Sequence, residues 1–223
     1  FDNLEEIGGK LEIIQNDNLE VIPEFSNLTK LDGNLEIYQN QKLNTIEGFN
    51  SLTVFDGNIT INRNPSLISI NGLNGIEEVL GMIIWGHPEL QTIEGFQNLL
   101  SSIDDVEIYQ NDKLINLDLG NLSEVGDELR ISSNILLENL DGLSNITNVN
   151  GGISISRNDN LLNINGLSNL QSSPGILITY HPALTDFCGI STLILNNDSL
   201  GYLVDFNVFN PTIMDILNGS CTQ

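Results

Sequence analysis

The 223-residue chain sets thirty acidic residues against seven basic ones, a formal charge of -23. A surface of that sign repels nucleic acid and anionic lipid, which excludes partners that need a basic patch. No apolar run is long enough to make a membrane-spanning helix, so direct insertion of this chain into a bilayer is not expected.

The chain opens at Phe1 partway through a repeat, with no signal peptide before it, and we expect a mature or trimmed fragment. The first complete phrase runs through Leu11, Ile13 and Asn16 and is then rewritten along the sequence: "NLEIYQNQKL" from 34, "NITINRNPSL" from 58, "DVEIYQNDKL" from 105 and "GISISRNDNL" from 152. Taking the residue after the strand as an anchor gives Asn16, Asn40, Asn64, His87, Asn111, Asn134, Asn158 and His181, at steps of 23 or 24. Three residues before each anchor stands an isoleucine (Ile13, Ile37, Ile61, Ile84, Ile108, Ile131, Ile155, Ile178), and two before that another apolar residue. Alternation of this kind predicts a strand with one buried face.

The rest of each unit is as regular. A leucine follows the anchor by three places, an apolar residue by six, and usually a glycine by eight (Gly48, Gly72, Gly95, Gly142, Gly166, Gly189). No part of the unit shows a helical period, so each unit reads as three short strands and tight turns. One such coil cannot bury its apolar residues alone, but stacked coils can, each strand pairing with its copy about 4.8 Å away. The predicted fold is therefore all-β: a parallel β-helix (solenoid) of about eight coils over residues 1–190. The anchor asparagines are expected to stack and satisfy turn backbone groups.

Two departures stand out. In the fifth coil "LDLGNL" lacks the usual glycine and brings Leu122 one residue early, which predicts a local irregularity. Beyond Gly189 the period fails, and residues 191–223 are expected to form a C-terminal cap of the same domain, as a solenoid end requires. The only cysteines, Cys188 and Cys221, lack CxxC spacing and lie apart from both histidines. The expected arrangement is a disulfide pinning the cap to the last coil and implying an oxidising compartment; the alternative is two buried free thiols.

The phrases "LDGNLEIYQNQKLNTIEGF" and "FDGNITINRNPSLISINGL" resemble the receptor L domain, the right-handed β-helical module of insulin- and epidermal-growth-factor-type receptor ectodomains. Related leucine-rich-repeat-like modules occur in bacterial surface proteins, and "DFCGI" with "NPTIMDILNGSC" looks more like that version. The resemblance implies a right-handed coil, a secreted or cell-surface location, and ligand binding on a sheet face.

Few residues suggest chemistry. His87 and His181 occupy the anchor column four coils apart, roughly 19 Å, and are expected to replace Asn structurally. The acidic column that includes Asp118 and Asp141 reads as a solvated stripe; a cation there is the alternative, but no calcium-loop spacing accompanies it. Neither a catalytic constellation, a metal site nor a cofactor is expected, which leaves a polysaccharide-active enzyme as a minor alternative. Six N-x-S/T sequons (Asn27, Asn58, Asn121, Asn145, Asn197, Asn218) fall in turns or the cap.

One column remains. The residue two before the anchor points outward because its neighbour isoleucine points in. It reads Ile14, Tyr38, Asn62, Trp85, Tyr109, Ser132, Ser156, Thr179. Aromatics on a flat polar-rimmed sheet favour a recognition surface for a protein or a glycan, with Tyr38, Asn62, Trp85 and Tyr109 as candidate ligand-binding residues. The competing explanations are that aromatics simply suit strands, or that the rod is a structural spacer or adhesin stalk whose binding lies elsewhere.

Overall fold

The computed structural model describes residues 3–223, so the expectation placed on Phe1 lies outside the described residues. It is a parallel β-solenoid. One wall is a continuous sheet of short strands, from Leu11–Ile14 through Leu35–Tyr38, Ile59–Asn62, Met82–Trp85, Val106–Tyr109, Glu128–Ser132 and Gly152–Ser156 to Gly175–Thr179. All neighbours in this wall are parallel and paired without slippage, the isoleucine of each coil lying beside that of the next. The other two walls are built of two-residue strands, such as Thr45–Ile46 with Ser69–Ile70 and Glu78–Val79 with Ser101–Ser102.

The register explains the core. Side chains alternate across a strand, so an unslipped stack places every isoleucine of the column on the interior. From Ile37 to Ile178 each is fully buried, as are the leucines three places past the anchor from Leu43 to Leu184. Interior space is short where coils touch. A Cβ added to Gly72 would sit 2.1 Å from the Glu47 carbonyl carbon, which is why glycine recurs in that column.

The anchor column forms a hydrogen-bonded ladder along the rod. The Asn40 backbone N–H donates to the Asn64 side-chain oxygen at 2.9 Å, and the Asn40 amide nitrogen donates to the Ile13 carbonyl at 2.8 Å. The same pair of bonds recurs at Asn134, which donates from its backbone to Asn158 Oδ1 and from its side chain to the Ile108 carbonyl. Each anchor side chain so satisfies two backbone groups of the preceding coil, accepting from its anchor N–H and donating to its isoleucine carbonyl, and burial makes such satisfaction matter.

The fifth coil accommodates its shortened sequence by deletion. Leu119 takes the place that Phe49 holds elsewhere, its N–H donating to the Gly142 carbonyl as that of Phe49 does to Gly72. Gly120 then turns in the left-handed region at φ 62°, against the Phe96 carbonyl, where a Cβ has no room.

The cap holds more repeat than its sequence shows. Residues 191–223 do include a helix, Ser191–Asn196, and another at Ile213–Leu217, and Cys221 ties them back to Cys188 through a disulfide. However, Gly201–Asp205 is a ninth strand of the long sheet, in register with Gly175–Thr179. Asn207 is a ninth anchor: its Oδ1 accepts from the His181 N–H at 2.9 Å, and its amide nitrogen donates to the Ile178 carbonyl at 3.0 Å. The expectation that no repeat lies beyond Gly189 is therefore corrected. The period was hidden because Asn207 follows His181 by 26 residues and Asn210 stands where leucine belongs.

Candidate functional site

The outward face of the long sheet carries the candidate residues. Pairing aligns Tyr38, Asn62, Trp85 and Tyr109 on successive coils, all half-buried beside the fully buried isoleucines. Trp85 and Tyr109 stack with centroids 5.6 Å apart and planes 6° from parallel. Arg63, from the preceding coil, lies 4.6 Å over the indole, and Arg130, from the following coil, lies 5.0 Å over the phenol. The four side chains thus form one stack in the order Arg63, Trp85, Tyr109, Arg130. Each ring has one face on the other ring and one on a guanidinium. Tyr38 stands two coils from Trp85, across Asn62, and joins no ring stack among the described residues.

Electrostatics hold the stack together. Arg130 also donates to Glu107 at 3.2 Å. Partial burial raises the Tyr109 phenol above its ordinary pKa, with the Glu107 carboxylate adding to the rise, so the ring stays neutral.

Arg130 reaches Tyr109 from within its strand, beside Glu107, but Arg63 and Arg157 reach their rings because of a backbone feature. The residue just before the anchor is left-handed in every coil: Gln15, Gln39, Arg63, Gly86, Gln110, Ser133, Arg157, Tyr180 and Phe206 all have φ between 51° and 76°. That turn ends each strand and throws the residue's side chain outward alongside the sheet. At the far end it makes a second stack. Tyr180 and Phe206 lie 4.7 Å apart and nearly parallel, with Arg157 4.9 Å from the Tyr180 ring. All three arginines therefore border this face, each on an aromatic ring. Reading outward columns by strict alternation missed this second stack, because alternation stops where the strand does. Exposed Arg, Tyr and Phe at a position that suits glycine was the available signal.

The remaining candidates are structural. His87 and His181 are fully buried rungs of the anchor ladder. His87 Nδ1 lies 3.2 Å from both the Asn64 backbone nitrogen and the Asn64 carbonyl oxygen, and Nε2 faces the Ile61 carbonyl at 3.1 Å. Burial pushes its pKa down to about 4, and lowers that of His181 in the same way. Asp118 accepts from the Gly120 N–H of its own turn at 2.8 Å and from Gln97 Nε2 of the preceding coil at 3.0 Å. No cluster of three metal-ligating side chains occurs among the described residues. Three sequon asparagines are likewise engaged, with Asn121, Asn145 and Asn197 donating to the carbonyls of Gln97, Gly120 and Ser173.

Comparison with protein-family models, with curated proteins and with solved structures gives no match for this chain.

Proposed function

We propose that the protein is a non-catalytic recognition module, extracellular or at a cell surface, that binds its ligand on the outward face of the long sheet around Tyr38, Asn62, Trp85 and Tyr109. The observation that carries the reading is the Arg63–Trp85–Tyr109–Arg130 stack. It gathers tryptophan, tyrosine and arginine, the residue types that dominate binding hot spots, at the middle of a flat wall. Both ring faces are covered, so the stack offers ring edges, an indole N–H, a phenol and guanidinium donors. That presentation suits a protein partner better than a sugar ring, which needs an open aromatic face. The resemblance to receptor L domains supports the same face, and the Cys188–Cys221 disulfide fits an oxidising compartment.

The test is binding to a panel of surface proteins and glycans, comparing wild type with a Tyr38→Ser, Trp85→Ser, Tyr109→Ser variant that keeps its β-sheet circular dichroism. Binding lost only in the variant supports the reading. Equal binding by both, or none by either, moves the function to a spacer.

A further inference from the structure

The ninth strand, Gly201–Asp205, ends the long sheet, and its outer edge pairs with nothing among the described residues. The register says which groups are left over. Asp205 accepts from the Tyr180 N–H and Gly201 donates to the Pro174 carbonyl, so residues 201, 203 and 205 turn their backbone toward the eighth coil. Tyr202 and Val204 must then present both N–H and C=O outward, because successive residues of a strand alternate. The next outward N–H, that of Phe206, is already capped by Asp205 Oδ1 at 2.8 Å.

Natural sheet edges are blunted by lysine, proline, bulges or a covering element. This strand, "GYLVD", has none of the first three. Its outward-facing Leu203 is 54% exposed, and Phe206 beside it 61%. A groove of mixed character, lined by Leu203, Val204, Asn210, Thr212, Ile213 and Met214, runs along the edge, with Met214 61% exposed.

We infer that this edge is a dimer interface, in which Gly201–Asp205 pairs antiparallel with the same strand of a second copy about a two-fold axis at Leu203. The second copy is the occupant because the free groups are self-complementary. With Leu203 opposite its own copy, Tyr202 faces Val204 of the second chain and Val204 faces its Tyr202. Each of these pairs exchanges both N–H···O=C bonds, and the two nine-stranded sheets become one. The two Leu203 side chains meet on the outer face, and the two Met214 grooves meet beneath. Asp205, the one charge in the strand, falls opposite Gly201 of the other copy and meets no like charge there. The charge of -23 on each chain opposes approach at long range, so association strengthens with added salt.

Sedimentation equilibrium over a concentration series, at low and moderate salt, tests this. Wild type is expected to show a monomer–dimer equilibrium. Leu203→Lys alone and Leu203→Glu alone are expected to be monomeric, since like charges then meet on the axis, and an equimolar mixture of the two is expected to dimerise. Leu203 points outward, so neither change touches the core. A measurement without variants runs beside it: the Tyr202 and Val204 amides should exchange with deuterium more slowly as wild-type concentration rises. A wild type that stays monomeric, a mixture that fails to restore the dimer, or amide exchange at 202 and 204 indifferent to concentration would each overturn the interface.

Discussion

Replacing His87 by asparagine should remove an acid-sensitive rung from the solenoid. In the native protein the ring is neutral because its burial disfavours the charged form by more than the Asn64 and Ile61 carbonyls facing its two nitrogens favour it. A histidine in the unfolded chain titrates near 6.5, whereas the folded one is held down to about 4. Between those values the unfolded state binds more protons. The stability that the neutral ring contributes is therefore complete above pH 6.5 and is lost as pH falls through the window toward 4. Linkage puts the loss at about 2 kcal/mol by pH 5 and about 3 kcal/mol by pH 4. Asn134 shows that asparagine fits the rung in a coil 23 residues from its predecessor, as His87 is. His87→Asn should thus cost little at pH 7 and gain on wild type by those amounts on acidification. Urea unfolding of both proteins at pH 7, 5 and 4 measures it, and His181, present in both, cancels from the difference. Parallel pH curves for the two proteins would refute the ladder account of this residue.

Two further perturbations probe the rod and its end. Gly72→Ala forces a Cβ against the Glu47 backbone and should destabilise by about 3 kcal/mol in thermal or urea unfolding, where an alanine in an exposed turn would change little. Replacing Cys188 and Cys221 together by serine opens a loop of 33 residues, which on the chain-entropy model lowers stability by about 4 kcal/mol. Limited proteolysis of that variant should cut first within 191–223, where the C-terminal end has lost its covalent tie to the last coil.

How legible the molecule was depended on which interactions write themselves into the sequence. Ile37, Ile61 and Ile84 announce the long wall because a one-residue slip would expose them all, so composition at that place is tightly constrained. His87 and His181 were readable as rungs because they fall on the asparagine column and no acid, base or metal ligand accompanies them. Asn207 was not readable. A rung needs only its amide in the right place, and the loop of 26 residues that delivers it, with a helix inside, breaks the spacing without breaking the bond. The arginine-capped stacks were hidden for a different reason. Arg63 belongs to one coil and Trp85 to the next, and the left-handed turn that brings them together is written with residues as unlike as Gln, Arg, Ser and Tyr. Backbone conformation imposed by the stack, not by the residue itself, leaves little trace in composition.

Trp85 is the only tryptophan in the chain, and it stands in the middle of the proposed binding face. The most direct measurement is therefore its fluorescence during titration with the tightest ligand that the binding panel yields. A saturable change in emission, at the same midpoint as binding measured independently, is the result predicted here. Saturation of binding with the indole emission unmoved would place the ligand elsewhere on the rod and contradict the account.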